Sequence, residues 1–211
     1  MPTQWAAIGL SHDLPTGTVM PARWNDVGLA IWRSAQGHLN AWKDRCPHRG
    51  MRLSHGFVRG ETLNCIYHGW VYGTGGGCIR IPAHPDLVPP AAIRADAFGC
   101  REAFGVIWVG PDGDDVQLPD LAGLTAVRSM PFDCDLSALA ADLNGFSVAR
   151  PGQFDGNVSI DGATARLCLV TQETTPGKTM VHALSDMKTG NVAVSRWLEA
   201  LRFRVEAKVA T

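Results

Sequence analysis

CPHRGMRLSHGFVRGETLNCIYHGW, from Cys46 to Trp70, gathers two Cys/His pairs in a chain that has only six cysteines and seven histidines. The pairs are written C-x-H (Cys46, His48) and C-x2-H (Cys65, His68), and a glycine follows each histidine closely, at Gly50 and Gly69. Four ligands of this kind suit zinc or an iron–sulfur centre. Structural zinc sites draw on Cys pairs two to four apart and His pairs three to five apart. Here each loop gives one thiolate and one imidazole, an arrangement that suits a two-metal centre with unlike ends. Gly50 and Gly69 fall where the backbone must turn tightly and aim N–H groups at sulfur. Tyr67 is placed to donate a hydrogen bond to sulfur, and Trp70 to shield one side from water.

Outward from this stretch, the first half reads as short strands with frequent turns. WAAIGL, DVGLAIW, HLNAW and FGVIWVG are β-rich, and DLPTGT, SAQG, VRGE and GTGGG are turn signals between them. That pattern predicts an antiparallel sandwich or barrel. Pro111–Asp120 is acidic and rich in turn formers, which sets the expected boundary: one domain over residues 1–112 and a second region over 113–211.

The chain has 211 residues, 45% hydrophobic, with a formal net charge of −1. This is enough for one generous domain or two small ones. The small charge gives no electrostatic case for nucleic acid or an anionic membrane. No basic n-region opens the N-terminus and no apolar run is long enough for a bilayer, so a cytoplasmic location is expected. Cys78, Cys100, Cys134 and Cys168 read as small buried hydrophobes rather than half-cystines.

C-P-H-R-G followed by C-I-Y-H-G-W resembles the signature of Rieske [2Fe–2S] proteins, in the form found in Rieske non-haem iron oxygenases and their ferredoxins. Leu53-Ser54-His55-Gly56, GTGGGCIRIP and EAFGVIWV are also similar to the oxygenase N-terminal domain, so the resemblance covers roughly the first half. It implies a Rieske-type antiparallel β sandwich or barrel with cluster-binding loops. It also implies a [2Fe–2S] cluster with Cys46 and Cys65 on one iron and His48 and His68 on the other. Gly50, Tyr67, Gly69 and Trp70 would surround the ligands. Met51 and Tyr67 stand where respiratory Rieske proteins carry two further cysteines, so their disulfide cannot form. A low potential follows, toward the bottom of the range of roughly −150 to +300 mV. Arg45, Arg49 and Arg52 cluster near the first loop, as solvated charges or as a docking patch for an acidic redox partner. His55 matches no ligand position.

The second half is a small α+β region. CDLSALAADL reads as a short helix, and NVSIDG, ARLCLVTQE and KTMVHALSD as strands, with Pro176 and Gly177 between the last two. After Asn191, a candidate N-cap, Val194, Trp197, Leu198, Leu201 and Val205 recur at helical spacing and predict an amphipathic terminal helix. A Rieske oxygenase also holds a mononuclear iron with two histidines and a carboxylate. After His84 the only histidine is His182, so this region is expected to be a reduced catalytic domain without that triad.

The resemblance then implies an electron-transfer component. A reductase or ferredoxin would be its donor, and a catalytic oxygenase chain its acceptor, in a trimer-based homo- or hetero-oligomer. Two alternatives stand beside it. One is a self-sufficient oxygenase with an unrecognised iron site involving His182. The other is a non-catalytic structural or regulatory subunit.

Overall fold

The computed structural model describes residues 4–112, 117–187 and 190–209. Its strands are β1 (Ala6–Leu10), β2 (Thr18–Trp24), β3 (Val27–Arg33), β4 (Leu39–Lys43), β5 (Phe57–Arg59), β6 (Thr62–Asn64), β7 (Val71–Gly73), β8 (Cys78–Arg80), β9 (Ala97–Ala103) and β10 (Val106–Gly110). There follow β11 (Thr125–Phe132), helix α1 (Leu136–Asp142), β12 (Phe146–Arg150), β13 (Gln153–Ile160), β14 (Ala163–Thr175), β15 (Lys178–Ser185) and helix α2 (Asn191–Val209). The fold is mainly β, as expected.

The chain divides into two compact units. The second takes Ala6–Leu10 and Ala103–Val106 along with the region from Gln117 onward. Part of the expected boundary, residues 113–116, lies outside the described residues.

In the first unit a larger sheet runs β10-β9-β4-β3-β2, and a smaller one runs β5-β6-β7-β8. The four consecutive residues Leu29, Ala30, Ile31 and Trp32 of β3 are fully buried, which is why that strand reads as an unbroken apolar run. β2, which no strand signal marked, sits at the end of the sheet opposite β3 with Pro21 facing Ala30. An edge strand tolerates a proline because one of its sides needs no ladder hydrogen bonds. Trp32, Trp42 and Tyr72 stack edge to face through the core, with ring centroids 5.0 and 6.3 Å apart.

The second unit's sheet has the order β11-β15-β14-β13-β12, antiparallel throughout. β11 also escaped notice in the sequence, and it too is an edge strand with an internal proline, Pro131. The long β14–β15 hairpin turns at Pro176 and Gly177, as expected. In α2 the residues Val194, Leu198, Leu201 and Val205 are buried in one stripe, while Trp197 is only partly covered. Each such side chain contributes about 1.5–3 kcal/mol on burial, far more than intrinsic helix propensity supplies. Asn191 is the first helical residue rather than the cap, since the Val194 N–H reaches back to the carbonyl of Gly190. Asp142 at the end of α1 is almost fully buried and binds two cations of α2, Arg204 at 2.7 Å and Lys208.

Candidate metal centre

Two loops of one design carry the Cys/His pairs. The first follows β4 and the second joins β6 to β7. In the first, the Cys46 N–H donates to the Met51 carbonyl (2.7 Å) and the Gly50 N–H to the Cys46 carbonyl (2.9 Å). In the second, the Cys65 N–H donates to the Trp70 carbonyl and the Gly69 N–H to the Cys65 carbonyl, both at 2.9 Å. The offsets are the same, so the two six-residue turns close alike although their histidines sit one position apart. Gly50 and Gly69 adopt φ of 75° and 68°, the left-handed conformation that such a closure demands. A side chain at Gly69 would also press on Pro82, whose Cγ lies 3.2 Å from where a Cβ would stand.

The loops are fixed from below. Asp44 accepts hydrogen bonds from the Ser54 N–H and hydroxyl, both at 2.7 Å, which pins the start of the first loop to the turn beyond it. That turn passes so close to β6 that a Cβ on Gly56 would stand 2.3 Å from the Asn64 carbonyl oxygen.

The four side chains separate by chemistry. Cys46 and Cys65 are buried, at 3% and 2% exposure, in the core cluster with Trp42, Leu63 and Tyr72. His48 is partly exposed and His68 exposed, and their rings meet at 4.7 Å. Trp70 stacks flat on His48, with centroids 4.1 Å apart and planes within 7°. Burial, with His68 and Arg49 nearby, lowers the His48 pKa, which favours the neutral imidazole that a metal needs. Burial pushes the Cys65 thiol up, and the neighbouring Cys46 adds to the effect. A metal beside the Cys65 sulfur would compensate what burial imposes on it. A buried sulfur pair and a surface imidazole pair fit a diiron centre with unlike ends. Among the described residues no three His, Cys, Asp or Glu side chains gather as ligands for a single ion.

The expected hydrogen bond to sulfur comes from a different tyrosine. Tyr67 points to solvent, 54% exposed, and its ring tilts over His68 at 3.9 Å. The hydroxyl at a cysteine sulfur belongs to Tyr72, 3.1 Å from Cys46 Sγ. β7 lies inside its four-stranded sheet, and its alternation turns Tyr72 into the core while the loop tip turns Tyr67 out. The sequence offered a signal for Tyr72 only in the parity of β7. Cys78 also belongs to this core cluster, with its thiol 3.6 Å from the Arg80 carbonyl. His55 is exposed and joins neither pair.

The model of the Rieske [2Fe–2S] domain matches residues 4–92. Residues 4–92 are a Rieske [2Fe–2S] domain. The Rieske domain implies a Rieske-type iron–sulfur cluster, and the donor set above fits it. The chain is 41% identical over 149 residues to the oxidoreductase NdmD of Pseudomonas putida, covering 66% of this chain and 25% of that protein. It is 36% identical over 130 residues to the methylxanthine N1-demethylase NdmA of the same organism, covering 56% and 37%. The chain therefore spans well under half the length of these curated relatives. Apo dicamba monooxygenase shares the fold, with a TM-score of 0.77 at 19% identity, over 97% of this chain and 85% of that one. The likeness of fold to this oxygenase continues through the second unit. No helix among the described residues is long and apolar enough to cross a membrane.

Proposed function

We propose that Cys46 and Cys65 bind one iron, that His48 and His68 bind the other, and that the chain is the electron-transfer component of a non-haem iron oxygenase system. It would carry electrons from a reductase to a mononuclear iron on another chain. The carrying observation is the polarity of the site, with sulfurs sealed in the core and imidazoles at the surface where a partner can approach. A [2Fe–2S] centre supplies one-electron chemistry. The protein's part is to hold that centre rigidly, by the paired loop closures and the Asp44–Ser54 clamp, so that little rearranges when charge changes. Tyr72 donates toward Cys46, and Trp70 covers one face of His48.

The second unit is proposed to be a reduced form of the oxygenase catalytic fold with a role in assembly. Relatives named as an oxidoreductase and as an oxygenase component suit this reading. A second reading, a chain with its own mononuclear iron, draws support from the fold likeness across 97% of the chain. Against it, His182 is buried on β15 with Nδ1 2.9 Å from the Ser129 hydroxyl, and it is the only histidine after His84. Iron analysis with partner reconstitution decides between them. About two irons per chain, with turnover only when a second chain supplies an iron triad, supports the relay. A third iron, with oxygenation by the isolated chain, refutes it.

A further inference from the structure

Beside His48 lies a hollow of about 470 Å³, whose lining includes Lys43, Arg45, Arg49, Arg94 and Asp96. Four cations against one carboxylate make this surface strongly positive in a chain whose formal net charge is −1. The basicity is therefore local. It is also assembled from three places: Lys43 ends β4, Arg45 precedes the first Cys/His loop and Arg49 lies within it, and Arg94 comes from the segment before β9. Arg52, expected in such a patch, is exposed but does not line the hollow.

We infer that this hollow receives the acidic face of the protein that donates electrons to the chain, an inference that rests on the relay reading above. Its place decides the function, because His48 itself lines it. Two of the cations have partners of their own, and a third lies over the first Cys/His loop. Arg94 donates to the Gly75 carbonyl at 2.7 Å, Lys43 stands 3.6 Å from Asp96, and Arg45 lies over Gly50, within 3.4 Å of where a Cβ would stand. Four cations from separate segments around a hollow of this volume suit several carboxylates of a protein surface better than one small anion. The surroundings of the other imidazole differ, since beside His68 the exposed side chains are Ile66 and Tyr67. A donor must arrive and leave for each electron, and exposed complementary charge accelerates encounter without demanding extensive apolar burial.

The test uses the cluster-loaded chain and photoreduced flavodoxin, an acidic one-electron donor, in stopped flow from low to high salt. In Lys43→Glu/Arg94→Glu the second-order rate constant is expected to fall about tenfold or more at low ionic strength and to converge on wild type at high salt. Arg59→Glu/Arg80→Glu, the same charge change outside the hollow, is expected to stay within about twofold. Calorimetric binding of oxidised flavodoxin should weaken in parallel, a readout that needs no electron transfer. Should the double reversal fail to fold, Lys43→Gln and Arg94→Gln singly are expected to slow reduction about twofold to threefold each. Equal losses in the hollow and control variants would overturn the inference. So would inorganic phosphate that saturates the hollow below millimolar concentration, which would make it a small-anion site. Dithionite must reduce wild type and variants alike. If it reduces none, the relay reading itself falls; if it reduces all while flavodoxin ignores the reversals, only the docking surface falls.

Discussion

Replacing Tyr72 by Phe isolates one hydrogen bond at the buried end of the centre. The hydroxyl lies 3.1 Å from Cys46 Sγ, and the ring is fully buried against Trp42. Burial first, and then the neighbouring sulfur, push the phenol well above its ordinary pKa, so it stays a donor across the accessible pH range. If Cys46 holds the proposed centre, reduction would add one negative charge to that centre and strengthen the bond its sulfur accepts. A hydrogen bond to a charged group is worth about 1.5–3 kcal/mol, and a differential of roughly 1 kcal/mol between oxidation states is reasonable. With tenfold in equilibrium equal to about 59 mV for one electron, that differential is on the order of 40 mV. Tyr72→Phe should therefore lower the midpoint by this amount in a mediated redox titration, with the spectrum of the centre otherwise retained. A shift below about 10 mV, or a rise, would refute the reasoning.

Other consequences are checked more simply. Cys78→Ala should keep its iron, since only its neighbours Cys46 and Cys65 are proposed as ligands, while Cys65→Ala should lose it; metal analysis separates the two. Gly56→Ala forces a Cβ against the Asn64 and Leu53 carbonyl oxygens, at 2.3 and 2.9 Å. It should cost about 1–3 kcal/mol in chemical unfolding and reduce cluster content. Asp142→Asn should cost about 1–3 kcal/mol by loosening α1 from Arg204 and Lys208. Lys208, and then Arg204 against the opposing effect of burial, hold the Asp142 carboxyl below its usual range. A depressed carboxylate pKa stabilises the fold above the unfolded value and loses that contribution as pH falls through the folded one. The gap between wild type and variant should thus be full at neutral pH and close below about pH 4 in denaturation series.

The two Cys/His loops were legible as tight turns because their closure is written locally. Two Cys/His pairs, each ending at a glycine, sit within 25 residues, and both glycines take the left-handed turn their positions imply. The apolar strands β3, β10 and β14 and the stripe of α2 were legible for the same reason, since burial follows from sequence period. What stayed hidden depends on the partner across the sheet. Pro21 and Pro131 masked β2 and β11, which pair on one side only. Tyr72 was passed over for Tyr67 because nearness in sequence to His68 says nothing about which side chain turns inward. Arg94 and Lys43 joined the basic hollow from segments that no spacing rule connects to the ligand loops.

Nitrogen at one iron and sulfur at the other define the proposed centre. Pulsed electron paramagnetic resonance of the dithionite-reduced chain should show two distinct nitrogen couplings, one vanishing in His48→Cys and the other in His68→Cys. A reduced centre without nitrogen coupling, or a colourless preparation carrying zinc alone, would contradict it.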